Sequence, residues 1–114
     1  FPAELGAGLQ KRVAIARGMA LDPAYVIYDE PTTSLDPVSA RRVDTLIRDM
    51  SKRVNVTSLV VSHDLTSIFT IADRVAMLYK GDFLIDGPPS MLKDSTNPVV
   101  QQYVRGQADG PMET

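Results

Sequence analysis

The sequence predicts an α/β fold built mainly on a parallel sheet, and three observations predict it. Two short apolar runs, 25–28 and 57–61, each end abruptly in polar residues. Segments with helical periodicity precede, separate and follow them. A third apolar stretch is split by Lys80-Gly81, the mark of a β-hairpin or tight turn. Strands alternating with helices imply parallel pairing through right-handed crossovers.

Each element has its own sequence logic. Gly6 and Gly8 lead into a helical pattern whose stripe is Leu9, Val13, Ala16 and Ala20, and Asp22-Pro23 stops it. Residues 25–28 form a continuous apolar run, as expected of a strand buried on both faces, and they lead into Asp29, Glu30 and Pro31. After a polar turn over 32–36, Pro37 suits the first position of a helix, and Val43, Leu46, Ile47 and Met50 line one side of it. The second buried strand, 57–61, runs into Ser62, His63 and Asp64. A short helix follows with Leu65, Ile68, Phe69 and Ala72 facing inward. Residues 75–79 and 83–85 flank the Lys80-Gly81 turn, and the run Asp86-Gly87-Pro88-Pro89 is a second break. Short helices are expected near 90–93 and 99–104. Residues 1–105 are read as one domain portion and 106–114 as a flexible tail.

Composition narrows the function classes. Twelve basic against fourteen acidic residues give a net charge of −2, which argues against a nucleic-acid partner bound by bulk charge. With no cysteine, disulfides and thiolate metal sites are excluded. No apolar run approaches the ~20 residues of a membrane-spanning helix, and no signal peptide is visible. The chain opens on Phe1 in the middle of a motif and is read as a fragment of a longer protein. Part of its apolar surface should therefore belong to neighbours outside it, so the isolated piece is expected to aggregate or stay partly molten.

The chemistry concentrates at strand ends. In open parallel sheets ligands bind beyond the carboxyl ends of the strands. There Asp29 and Glu30 close one run and His63 follows the other. A first carboxylate can help hold a magnesium ion through its waters, and a second can orient or deprotonate an attacking water. As a bare motif, adjacent carboxylates equally suit a helix N-cap or a solvated turn, and a lone histidine equally suits a polar loop. Gly6-Ala7-Gly8 before a helix offers backbone N–H groups to an anion, or is simply a flexible turn.

The order of these features carries more than any one of them. Leu5-Gly6-Ala7-Gly8-Leu9-Gln10-Lys11-Arg12, the run 25–30, Ser34-Leu35-Asp36 and His63 follow one another as in the ATP-binding subunits of ABC transporters, which the chain resembles along nearly all its length. The resemblance implies part of a P-loop NTPase fold, with ATP and Mg²⁺ as cofactors. It places the signature loop at 5–10, the Walker B strand at 25–30 with Asp29 for magnesium and Glu30 as catalytic base, the D-loop at Ser34 and Asp36, and the switch histidine at His63. It also implies a head-to-tail dimer of two ATPase subunits, a transmembrane permease partner, and a peripheral position on the cytoplasmic face of the inner membrane. The stretches 10–17, 28–33 and 71–79 look similar to Mla-type phospholipid transporters.

Two departures from the family pattern stand out. The phosphate-gripping G-x-x-x-x-G-K-[ST] loop and the glutamine loop are absent, so the chain alone is not expected to hydrolyse ATP. Where the family signature reads Leu-Ser-Gly-Gly, this chain has Gly6 for the serine and Ala7 for the next glycine. The lost hydroxyl would have given a charged phosphate a bond of roughly 1.5–3 kcal/mol. If that bond counted fully in the transition state, its loss slows turnover about 10- to 150-fold. Ala7 would add strain if its position needs a positive φ. A non-catalytic or regulatory nucleotide-binding subunit is therefore the alternative reading. The soluble ABC-class ATPases of DNA repair and translation are a third, but they usually carry coiled-coil insertions or tandem halves, neither of which is seen here.

Overall fold

The computed structural model describes residues 6–112. Along the chain run α1 (Ala7–Met19), β1 (Tyr25–Asp29), α2 (Pro37–Arg53), β2 (Thr57–Val61), α3 (Leu65–Ile71), β3 (Val75–Tyr79), β4 (Asp82–Gly87), α4 (Ser90–Asp94) and α5 (Pro98–Arg105). They fall into two units, divided between Ile71 and Ala72.

In the first unit β1 and β2 pair in parallel, from Tyr25 opposite Thr57 to Asp29 opposite Val61. Side chains alternate across the pair, so Val26, Tyr28 and Val60 turn to one face. There they meet Ile15 and Met19 of α1 and Val43, Leu46 and Ile47 of α2. The other face carries Tyr25, Ile27, Leu59 and Val61, which are 77%, 70%, 59% and 49% exposed. The expectation of strands buried on both faces is thus met on one face only. A continuous apolar run fits a parallel strand covered on both sides, but the helices of this unit cover only one.

Within the helices the apolar faces differ in part from those expected. In α1 the buried residue is Ile15, with Met19 one turn later packed beside it, while Leu9, Ala16 and Ala20 are exposed. Isoleucine and methionine have more apolar area to bury than two alanine methyls, and they set the roll of the helix. Pro37 opens α2 behind Asp36, whose side chain accepts the Ser39 N–H at 3.1 Å. Val43 and Ile47 face inward as expected, joined by Ala40 and by a carboxylate, Asp44. In α3 the fully buried residue is Ser67, with Leu65, Ile68 and Phe69 half-buried around it.

The second unit opens on an antiparallel hairpin, β3 with β4. Lys80 and Gly81 both have positive φ, 50° and 83°, as a two-residue type I′ turn requires. Strand β4 is longer than the expected 83–85. Helix α4 packs on β4 and α5. Asn97 caps α5 through the Val99 N–H at 2.9 Å, and Gly106 closes it in the left-handed region. Beyond it the Gln102 side chain donates to the Gln107 carbonyl and accepts the Met112 N–H.

Candidate functional site

The parallel register brings the two polar strand ends together. Asp29 lies opposite Val61, and the Glu30 N–H donates to the Val61 carbonyl at 2.7 Å. His63, two residues further on, therefore falls across from Glu30, and its Nδ1 is 2.9 Å from Glu30 Oε2. Thr33 Oγ1 donates to the same oxygen at 3.2 Å. Glu30 adopts φ 49°, a region that non-glycine residues enter only where the surroundings hold them. The hydrogen bond to His63 is the main cause that lowers the Glu30 pKa, and the same bond raises that of His63. Asp29, exposed, stands at the same strand end.

Beneath this pair lies a polar cluster that the sequence reading did not single out. Arg41 Nη2 donates to Asp64 Oδ2 at 2.8 Å and to Ser67 Oγ at 3.3 Å. Arg41 Nε stands 3.2 Å from Asp44 Oδ2. Thr32 Oγ1 donates to Asp64 Oδ2 at 3.3 Å and lies 3.4 Å from Ser67 Oγ. Asp64 Oδ1 accepts the N–H groups of Thr66 and Ser67 at the start of α3. Burial opposes charge on Asp64, yet the Ser67 N–H and the Arg41 guanidinium hold its pKa below the ordinary value. Burial pushes Asp44 up, against the pull of Ser67 and Arg41. One signal was available in the sequence: Ala40, Val43, Asp44 and Ile47 share a helical face, so a carboxylate stood in the apolar stripe with an arginine three residues before it.

The glycine-rich segment lies at a second site. Gly6 is the N-cap of α1, and the helix begins at Ala7, two residues before the expected Leu9. Gly6, Ala7, Gly8, Leu9 and Arg12 line a pocket of about 300 Å³ together with Ser34, Asp36, Ser39 and Arg42. The signature-like segment and the Ser34-Leu35-Asp36 turn are thus neighbours. Gly8 eases this approach, since a Cβ there would lie 3.0 Å from the Ser39 Cβ and one of the two would have to give by a few tenths of an ångström. Ala7 is helical and not among the positive-φ residues, which removes the strain anticipated for it. Gln10 donates its backbone N–H to the Gly6 carbonyl and does not line this pocket. Leu5 lies outside the described residues. Ser34, at φ 67°, also borders a smaller pocket of about 250 Å³ with Thr32, Thr33, His63 and Asp64.

Among the described residues, no three His, Cys, Asp or Glu side chains converge as a metal cage. Asp29, an exposed carboxylate at the strand end, is the type of group that acts with water and phosphate oxygens where magnesium is held in nucleotide sites.

No family model matches the chain. It is 36% identical, over 98% of its length, to the probable ribonucleotide transport ATP-binding protein mkl of Mycobacterium tuberculosis. It is 37% identical, also over 98% of its length, to the intermembrane phospholipid transport system ATP-binding protein MlaF of Haemophilus influenzae. The chain spans 31% of the first relative and 42% of the second. Among solved structures, cbiO1 of Clostridium perfringens, part of the ABC transporter complex cbiONQ, superposes with a TM-score of 0.76 at 28% identity. That match covers 91% of this chain and 41% of cbiO1.

Proposed function

Taking as premise that this chain is homologous to the ATP-binding subunits of ABC transporters and has their α/β P-loop NTPase fold, we propose that the protein containing it hydrolyses ATP to drive transport. The observation that carries this reading is the 2.9 Å contact between Glu30 and His63 at the carboxyl end of the parallel strands. A carboxylate beside a protonatable imidazole can accept a proton from an attacking water while the imidazole N–H donates to a phosphate oxygen. Thr33 helps keep the carboxylate aimed. Asp29 would hold Mg²⁺ jointly with the phosphates of ATP, and the ion supplies charge neutralisation at the transferring group.

The pocket at the start of α1 supports the dimeric part of the reading. Ala7 and Gly8 open a 13-residue helix, whose first N–H groups are free for an anion, and they line this pocket together with Ser34 and Asp36. In a head-to-tail dimer this surface would meet the ATP held by a second ATPase subunit. A permease would complete the assembly at the cytoplasmic face of the inner membrane. Among the described residues no helix is long and apolar enough to cross a membrane, so the permease would supply the spans. Phospholipid is the proposed cargo, on the relationship to MlaF; the mycobacterial relative, named for ribonucleotide transport, is the contrasting precedent.

One observation favours the non-catalytic alternative: Gly6 has no hydroxyl to offer a phosphate. A Cβ at Gly6 meets nothing within 4 Å, so serine fits there without repacking. The test is ATP hydrolysis by the full-length protein beside its Gly6→Ser and Glu30→Gln variants. Turnover that rises about 10- to 150-fold in Gly6→Ser and vanishes in Glu30→Gln supports the catalytic reading. ATP binding without hydrolysis in both the parent and Gly6→Ser leaves the regulatory subunit as the better account.

A further inference from the structure

We propose that Arg41 is a positioning residue of the strand-end site: by gripping Asp64 from helix α2, it fixes the loop that carries His63 against Glu30. In its catalytic part this rests on the ATP-hydrolysis reading above.

The geometry leads there in steps. His63 is 73% exposed and follows the end of a strand, so burial does little to fix its ring. What fixes its loop is the next residue. Asp64 holds the start of α3 with one oxygen, taking the Thr66 and Ser67 N–H groups. Its other oxygen takes Thr32 Oγ1 and Arg41 Nη2. Thr32 is two residues past Glu30, so Asp64 ties the histidine's loop to the glutamate's loop a second time, below the direct contact. Arg41 in turn stands on α2 with its Nε 3.2 Å from the completely buried Asp44, an ion-pair contact without hydrogen-bond geometry. A guanidinium can span two carboxylates and a hydroxyl in one plane, which an ammonium cannot. Arg41 and Asp64 are each about a third exposed, 34% and 31%, so the grip acts through its hydrogen-bond geometry, which ties Asp64 to α2 and to both loops, more than through buried charge. Helix α2 also begins at the Ser34–Asp36 turn, so the grip connects the turn in the glycine pocket with the loop of His63.

The test uses the full-length protein with Arg41→Met and Arg41→Lys. It reads ATP turnover, ATP affinity, and titration of the His63 imidazole by NMR, with the signal assigned by its loss in His63→Gln. The charges that act on His63 are Glu30 first and Asp64 second. In Arg41→Met, kcat should fall about 10- to 100-fold, with ATP affinity within about twofold of the parent. Loss of the Glu30 contact, the largest cause of the raised value, should bring the imidazole titration down toward the ordinary histidine value and outweigh the smaller upward pull of an Asp64 no longer paired with Arg41. Arg41→Lys, which keeps one contact, should lie between. If Arg41→Met lowers only the melting temperature and leaves kcat and the His63 titration unchanged, Arg41 is a packing residue and the proposal is overturned. Should Arg41→Met not fold, Arg41→Met with Asp44→Asn removes the stranded buried charge and is read by the same outcomes. If the parent binds ATP but hydrolyses none, the function reading fails by itself. The imidazole titration then still decides the role of Arg41, since it needs no turnover.

Discussion

Glu30 and His63 are both accessible, so their attraction is screened by water and salt and contributes through geometry more than through stability. The direction of its pH dependence follows from the two shifts. His63 titrates above its ordinary 6.5, so its contribution is complete below 6.5 and is lost as pH rises through the raised value. Glu30 titrates below its ordinary 4.5, so its contribution is complete above 4.5 and is lost as pH falls through the lowered value. Both are complete between 4.5 and 6.5. Thermal melts of the full-length protein and His63→Gln across pH should differ most in that window and converge on either side, with a smaller gap at high salt. A difference that grows above neutral pH would contradict the pairing. The sequence already placed these two residues at neighbouring strand ends. It left out the cluster around Arg41, because hydrogen bonds among Thr32, Arg41, Asp64 and Ser67 join residues up to 35 positions apart.

At the scale of elements, helix α1 shows how the same substitution takes opposite values along one helix. Gly18 is exposed and helical, and an added Cβ there meets nothing within 4 Å. Gly18→Ala should therefore stabilise the protein by about 0.5–1 kcal/mol through helix propensity. Gly8→Ala forfeits that gain, because its Cβ would press on Ser39 of α2 at 3.0 Å. Chemical denaturation of the two variants should give a raised midpoint for Gly18→Ala and none for Gly8→Ala. The strand and helix order of the sequence reading matches the elements found. The roll of α1 and the partners of α3 do not follow from periodicity, because alanine-rich stripes carry too little apolar area to define a face on their own.

For the whole molecule, the uncovered sheet face sets the behaviour of the isolated chain. Tyr25, Ile27, Leu59 and Val61 form an apolar patch beside strand edges that are unpaired among the described residues, a combination that favours association. Expressed alone, the chain should self-associate at micromolar concentration, and Ile27→Lys with Leu59→Lys should suppress this in sedimentation measurements. A sharp, concentration-independent melt of a monomer would overturn the expectation. The relatives are more than twice as long as the stretch matched here, in keeping with a face made to be covered.

By itself the sequence determined the alternation of strands and helices, the hairpin turn, and the strand ends where Asp29, Glu30 and His63 would gather. Local patterning and turn chemistry are written in neighbouring residues, so they are legible without coordinates. Only the tertiary structure decided that Glu30 and His63 touch, that Ala7 is unstrained, that Gly8 admits Ser39, and that Arg41 bridges a buried Asp44 to Asp64. Those facts depend on strand register and on how α1 and α2 lie on the sheet, and packing between distant segments sets both.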